Sequence, residues 1–402
     1  MGFNPLEERG MALEKQLRSF REITPDPYDK RTVDPYTRCR IIVMNGIEVE
    51  SAMFSHQFNR HTDVPEITQA LALSRRVEQQ QQKAVNWLIP ADETTLEVTL
   101  GYEQVAIDLT AWLARHETDP YLKQVMDFGL LEDFDHLYRY ANLYDLLQGK
   151  QAEEVVGRLT EVMPGRPTTQ EHRHPYDDVR RHYEKHTADP QSKLNAMTLV
   201  AAEQQTMSFY MTIGNRYQEP LARKLYAEIG MIEEQHVTQY ESLLDPGETW
   251  LEQLVLHEYM ECWLYHSFAE QEVDPRVKGI WEQHLDMEVG QLQEAVRLLR
   301  KYDGLEPEAF LPAALPPTML FEPNKEYVRM VLAEQLDLTS LDTEIVGDAH
   351  ARYEAYQATV HGGEPAPSEQ VIEDHRQQLG GEYRLQTEGE HPNERLRAAN
   401  AT

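Results

Sequence analysis

The chain has 402 residues and a formal net charge of −31, from 38 Lys and Arg against 69 Asp and Glu. That length allows two or three domains with proper cores, and that charge argues against nucleic acid or an anionic membrane as partner, because both would be repelled. The two cysteines, Cys39 and Cys262, give no disulfide framework and no Cys-x-x-Cys pair to hold an iron centre, and they suit a reducing compartment.

Residues 1–37 are charged and lack the apolar core of a signal peptide, so they read as an N-terminal extension. Apolar spacing then predicts eight long helices, over 38–61, 66–88, 94–117, 121–148, 192–217, 221–244, 249–272 and 276–302. No apolar run reaches membrane-spanning length, which predicts a soluble, cytoplasmic protein. Asp119-Pro120 and Asp274-Pro275 each read as a capping acid with proline in the first helical position, where its missing N–H costs nothing. They lie 155 residues apart, as do Pro65 and Pro220, which open two further helices. The helices form four tandem hairpins. Two make a first helical half over 38–148 and two a second half over 192–303, with a long crossover at 149–191 rich in His and Pro. A short helix is expected within it at 180–186. Beyond Gly304 the pattern breaks. Leu311-Pro312-Ala313-Ala314-Leu315-Pro316-Pro317 reads as a stiff linker, helices are expected near 326–336 and 368–379, and 388–402 reads as frayed. The stretch 304–402 is thus expected to be a mostly irregular extension without chemistry of its own, packing over the bundles or mediating assembly.

One spacing recurs in every hairpin. A Glu is followed by a second acid thirty residues later, and that acid by His or Gln three places on. The four sets are Glu48, Glu78 and Gln81; Glu103, Asp133 and His136; Glu203, Glu233 and His236; Glu258, Glu288 and Gln291. Residues three apart on a helix share a face. An acid-x-x-His pair answered by an acid on the partner helix is therefore half of a dimetal carboxylate site. One such match in a helical chain with 69 acids means nothing, but four at one spacing point to duplication. A duplicate that had lost its metal would exchange buried acids for apolar residues. All eight acidic positions remain acidic. Oxygen ligands with some imidazole suit two ions of iron, or of manganese.

Pairing the second and third hairpins unites both His: Glu103, Asp133, His136, Glu203, Glu233 and His236. A twofold between the acid-x-x-His helices requires them to run antiparallel, and only the crossover at 149–191 supplies that reversal. The first and fourth hairpins then flank the site, or form a second bundle whose set (Glu48, Glu78, Gln81, Glu258, Glu288, Gln291) binds metal more weakly because Gln is a neutral ligand. Glu132 and Glu234 adjoin the chosen acids; the hundred-residue match of Asp133 with Glu233 favours Asp133. Tyr140 and Tyr240, each four residues after a His, could reach the site from one turn away, though a packed tyrosine is the plainer reading. His172, His174, His182 and His186 cluster in the crossover. His182 and His186 have a helical i, i+4 spacing that could bind metal, but a solvated connector face is the plainer reading. His257 and His266 are assigned to packing.

The order Glu, acid-x-x-His, crossover, Glu, Glu-x-x-His resembles the ferritin-like superfamily, and its rubrerythrin-type di-iron carboxylate proteins in particular, over residues 39–303. The resemblance implies an all-α fold with one or more ferritin-like four-helix bundles. It implies an oxidoreductase that reacts with peroxide or dioxygen at a di-iron or manganese-containing centre. Asp133 departs from the usual Glu by one methylene. The outer hairpins are not part of the ordinary single bundle. Partners would be peroxide or dioxygen and, for a net reduction, a separate electron donor; a homo-oligomer is compatible with the sequence. The competing expectation is a metal-binding or storage protein without catalysis, or a structural protein stabilised by metal.

Overall fold

The computed structural model describes residues 3–312, 314–336, 351–380, 384 and 389–400. Ala313 of the expected linker, and Glu388, Ala401 and Thr402 of the expected frayed end, lie outside the described residues. Among the described residues the regular structure is all helical, without strands. The long helices are α1 (Pro35–Arg60), α2 (Pro65–Asn86), α3 (Thr95–His116), α4 (Pro120–Gln148), α6 (Pro190–Ile213), α7 (Pro220–Glu241), α8 (Trp250–Gln271) and α9 (Pro275–Tyr302). None of the described helices is long and apolar enough to cross a membrane.

Their starts are set by the chain itself. Asp34 accepts from the backbone N–H of Tyr36 and Thr37 ahead of α1, and Asp119 from Tyr121 and Leu122 ahead of α4. Asp274 does the same for Arg276 ahead of α9, and Asp189 accepts from Gln191 N at 2.9 Å ahead of α6. Proline follows each of these acids. Thr94 and Glu97 form a reciprocal capping box on α3, repeated by Thr249 and Glu252 on α8. Each cap contributes about 1 kcal/mol, and together they fix where each helix begins, hence which side chains share a level.

The helices fall into two compact units. Unit 1 is Met1–Asp92, His182–Gln205 and Leu243–Leu320; unit 2 is Glu93–Arg181, Thr206–Ser242 and Phe321–Thr402. The division crosses the expected halves 38–148 and 192–303. In unit 1, hairpin α1–α2 packs against hairpin α8–α9, α1 on α8 and α2 on α9. In unit 2, α3 packs on α4 and α4 on α7. Chain neighbours need not share a core: a hairpin buries its inward face against whichever partner offers a matching one. Helix α6 runs through the division, which falls between Gln205 and Thr206.

Within unit 1 the N-terminal extension is part of the packing. Met11 N donates to Asp286 O at 2.7 Å, and Gln16 Nε2 to Met287 O at 2.8 Å, both on α9. The strand of chain lies so close that a Cβ on Gly290 would sit 1.8 Å from Met11 O. At the other end of α8, buried Glu272 takes Arg40 Nε at 2.9 Å, Thr37 Oγ1 at 2.6 Å and Trp281 Nε1 at 3.1 Å, binding the start of α1 to α9.

Within unit 2 the apolar core runs from Leu96, Leu100 and Ile107 through Phe134, Leu137 and Tyr144 to Leu225 and Ile229. The extension carries α10 (Lys325–Glu334), α11 (Ala351–His361), α12 (Pro367–Leu379) and α13 (Glu394–Asn400); α10 and α12 lie where helices were expected at 326–336 and 368–379, while α11 and α13 fall in what was expected to be irregular. Val328, Val331, Val371 and Ile372 join the core, with α10 on α3 and α4 and α12 on α4 and α7. Polar composition hid α11, which buries no residue and so shows no apolar stripe. In the crossover the helix is α5 (Glu153–Val156), packed on α3, while 180–186 is not helical. His182 and His186 therefore lack the helical spacing, and His182 Nδ1 contacts Tyr183 O at 2.8 Å.

Two glycines of α9 separate packing from propensity. Gly290→Ala should destabilise the protein by about 1–3 kcal/mol, the usual cost of overpacking. Gly279→Ala, where a Cβ meets nothing within 4 Å, should stabilise it by up to about 1 kcal/mol. Urea unfolding of the two variants reads both; equal effects would contradict the close approach at Gly290.

Candidate metal centre

Unit 2 brings five of the six expected central donors together: Glu103 on α3, Asp133 and His136 on α4, and Glu233 and His236 on α7. Ligand atoms of Glu103, His136 and Glu233 lie within 4.8 Å of one another, and so do those of Asp133, Glu233 and His236. Glu233 belongs to both groups. Its Oε1 is 3.0 Å from His136 Nδ1 and its Oε2 3.4 Å from His236 Nδ1, and the two rings lie 5.9 Å apart. His236 Nδ1 is also 3.3 Å from Asp133 Oδ1. All five residues are buried. The sixth, Glu203, is buried on α6, on the unit 1 side of the division.

The outer nitrogen of each ring is held by a further carboxylate. His136 Nε2 is 3.0 Å from Glu171 Oε2, and His236 Nε2 is 2.6 Å from Glu132 Oε2. Arg173 donates from Nη1 to Glu132 Oε1 at 3.0 Å, and its Nε is ion-paired with Asp178 Oδ1 at 2.6 Å. Glu132 and Asp133 thus divide their work. They are successive on α4, so they point apart; Asp133 faces Glu233 and His236, while Glu132 braces the far side of His236. Glu234 turns outward and accepts from Thr238 at 3.0 Å. Sequence reasoning missed Glu171 and Arg173, which sit in the aperiodic crossover. It also missed Tyr210, whose hydroxyl donates to Glu103 Oε1.

Burial and local charge set the protonation. Burial, then Glu233, pushes Glu103 well above the carboxylate range. Burial also raises Asp133, against the pull of His236. Burial alone would raise Glu132 and Glu233 as well. Arg173 and His236 overcome it at Glu132, and the two histidines overcome it at Glu233, so both fall to about 2. Burial works to lower His136, yet Glu171 and then Glu233 lift it well above its ordinary value. Glu171 is pushed up to about 8 by burial. Both oxygens of Asp133 and Oε2 of Glu103 have no hydrogen-bond partner. Buried acceptors without donors are costly, and a cation among them removes that cost. The donor set fits a pair of ions: carboxylates and Nδ1 atoms face inward, and Nε2 is braced outward, as metal-bound imidazoles usually are.

Comparisons with family models, curated proteins and solved structures return no match. The geometry is therefore the ground for any functional reading.

The two expected tyrosines differ. Tyr140 stacks between Tyr210 and Tyr226, with ring centroids 5.2 and 4.9 Å away. Its hydroxyl has no hydrogen-bond partner, and burial, then Tyr226 and Glu103, raises it well above the ordinary phenol. Tyr240 instead lies over α4: a Cβ on Gly129 would sit 2.1 Å from its hydroxyl. It serves close packing of α7 on α4. His172 pairs with Glu228 at 3.3 Å, away from the centre. In unit 1 His257 pairs with Glu50 at 3.1 Å.

Unit 1 holds a second cluster. Oxygens of Glu48 on α1, Glu78 on α2, Glu261 on α8 and Glu288 on α9 lie within 4.8 Å of one another. Gln81 donates to Glu288 Oε1, and Gln291 Nε2 to Glu288 Oε2 at 3.1 Å and Gln81 Oε1 at 3.3 Å. Tyr265 donates to Glu48 and lies 2.9 Å from His284 Nδ1, whose Nε2 meets Arg18 at 3.1 Å. The expected Glu258 is buried but outside the group; Glu261, one helical turn on, takes its place. Burial, reinforced by the other carboxylates, raises Glu48, Glu78 and Glu288 well above the usual range.

This cluster sets a pH dependence. Burial lifts Glu261 from its ordinary 4.5 to about 7. Between those values the folded chain keeps a proton that the unfolded chain has lost, so stability falls as pH rises through the window. Chelator-treated protein should therefore melt progressively earlier from about pH 5 to pH 8, and Glu261→Gln should flatten that slope. Calorimetric melting at several pH values checks it; an unchanged slope in the variant contradicts it.

Proposed function

We propose that unit 2 carries a dimetal-carboxylate centre of iron or manganese in a ferritin-like helical arrangement, and that the protein is an oxidoreductase acting on peroxide or dioxygen. The observation that carries the reading is the position of Glu233. Its two oxygens face Nδ1 of two histidines from different helices, with Glu103 beside one and Asp133 beside the other. A carboxylate so placed suits the bridge between two ions, with an imidazole on each. The reading uses residues of unit 2 alone.

When bound, such a pair of ions supplies the electrons that reduce peroxide or dioxygen, or cycles between oxidation states in a dismutation. The chain's own contribution is positional. Glu171 and Glu132 hold the two rings in one tautomer with Nδ1 turned inward. Arg173 neutralises Glu132 and keeps it from competing as a ligand. Tyr210 holds one oxygen of Glu103 and leaves the other unpartnered. Tyr140, Tyr210 and Tyr226 form an aromatic wall beside Glu103 that limits water. Tyr140 keeps its phenolic proton, and its hydroxyl is not engaged by another hydrogen bond. A net reduction needs a separate electron donor; a dismutation needs none. The histidine-free cluster of unit 1 favours a second reading, a metal-binding or metal-stabilised protein without turnover.

Anaerobic loading with Fe²⁺ or Mn²⁺ should place two ions per chain in the centre of unit 2 and give metal-dependent peroxide consumption. His136→Ala with His236→Ala should remove both the ions and the turnover. Glu171→Gln should weaken metal binding by about 10–100-fold while leaving the fold intact. Elemental analysis and oxygen evolution or peroxide loss read these outcomes. Retention of full metal content and turnover in the histidine double variant would overturn the proposal; metal-dependent stability without turnover would transfer support to the second reading.

A further inference from the structure

The cluster in unit 1 differs from the centre of unit 2 in one respect that decides its chemistry: no cation is ion-paired with its acids, and Arg18 acts on Glu48 and Glu288 only from a distance. Among the described residues no Lys or Arg pairs with Glu48, Glu78, Glu261 or Glu288. Arg18 is linked by hydrogen bonds to Glu48 through His284 and Tyr265, and its charge also acts on Glu48 across that distance. Both oxygens of Glu78 and Oε2 of Glu48 receive no N–H or hydroxyl donor; Glu48 and Glu78 meet carboxyl to carboxyl, and Glu261 meets Glu288 and Ser51. These side chains are buried, with Glu48, Glu261 and Glu288 at 0% exposure and Glu78 at 1%. A separate observation comes from outside the acids. Gln291, 2% exposed, aims its amide into the cluster through Nε2, and its Oε1 has no hydrogen-bond partner. A buried amide oxygen, on a side chain whose Nε2 touches Glu288, is a neutral hard ligand that receives no hydrogen bond.

We infer that unit 1 is itself a metal site, in which Glu48, Glu78, Glu261 and Glu288 hold one hard divalent cation of the Mn²⁺, Mg²⁺ or Ca²⁺ class. The spacing supports a single ion. Bonds of about 2.1–2.5 Å put ligands on opposite sides of such an ion roughly 4–5 Å apart, and the four oxygens lie within 4.8 Å of one another. The chemistry of the donors supports a hard, redox-quiet cation. Gln81 and Gln291 stand where unit 2 has His236 and His136, counted on the 155-residue repeat. Replacing imidazole with amide removes the ligands that favour iron and leaves oxygen alone. Each of α1, α2, α8 and α9 gives one carboxylate, so the ion fastens the four helices at one level. Its role is to stabilise unit 1, and it is independent of whether unit 2 turns over peroxide.

The test uses the full chain, freed of metal by chelation and titrated with MnCl₂. His136→Ala/His236→Ala protein, which isolates unit 1, should bind one Mn²⁺ per chain, visible by electron paramagnetic resonance, and gain roughly 5 °C in melting temperature. Adding Glu78→Gln and Glu261→Gln should abolish both the bound Mn²⁺ and the gain. These isosteric amides remove buried charge, so the metal-free melting temperature should not fall. Equal Mn²⁺ binding with and without the glutamines overturns the site. So does the absence of bound Mn²⁺ in the histidine double variant, which would leave the four acids as a proton-sharing group; that result stands even if the glutamine variant fails to fold. The reading of unit 2 fails separately, when the histidine substitutions leave the metal content of the whole chain unchanged.

Discussion

Taking a carboxylate out of water costs several kcal/mol unless a donor or a cation receives it. This chain does so many times, and the internal organisation of each unit follows from how that charge is received. In unit 2 the compensation is written into the protein: imidazoles at His136 and His236, and the guanidinium of Arg173 behind Glu132. Glu132 and Glu233 consequently stay ionised, held at about 2 against the effect of burial. In unit 1 the acids are met by two amides, a phenol, Ser51 and the distant charge of Arg18, and burial still drives Glu48, Glu78 and Glu288 upward. The same backbone plan supports two electrostatic solutions.

That plan depends on level. A carboxylate on one helix meets an acid-x-x-His pair on the next only if both helices start at fixed heights. The caps do this. Asp34, Asp119 and Asp274, each followed by proline, and the Thr94–Glu97 and Thr249–Glu252 boxes repeat through the chain. Thirty residues between the first acid and the second is the length of a descent, a turn and a return to the same level. The duplicated caps preserve that length while the intervening residues change.

The helix starts and the inward acids were legible because both rest on local rules, a cap and a three-residue step along one face. The grouping of α1–α2 with α8–α9 was less so, since the 155-residue repeat suggests sequential halves and says nothing of which faces match. Glu171 and Arg173 carry no periodic signal. They lie in the crossover, and only folding sets them against His136 and Glu132. Tyr240 follows the plainer of its two readings: one turn beyond His236, its hydroxyl lies in the space left by the missing side chain of Gly129. After Gly304, α10 and α12 were legible because Val328, Val331, Val371 and Ile372 give each an apolar stripe, whereas α11 escaped because it buries no residue.

Glu258 and Glu261 show how far a spacing rule reaches. They lie three residues apart on α8, about 4.5 Å along the axis and on nearly one face. Both are buried. The duplication assigns the ligand position to Glu258, the counterpart of Glu103, yet the oxygens that converge with Glu48, Glu78 and Glu288 are those of Glu261. In unit 2 the residue corresponding to Glu261 is Ala106, so no such alternative exists there. The acid that unit 1 adds at Glu261 coincides with its loss of both imidazoles. On the proposal that unit 1 takes a divalent ion, Glu261 supplies an oxygen where the two nitrogen ligands are gone.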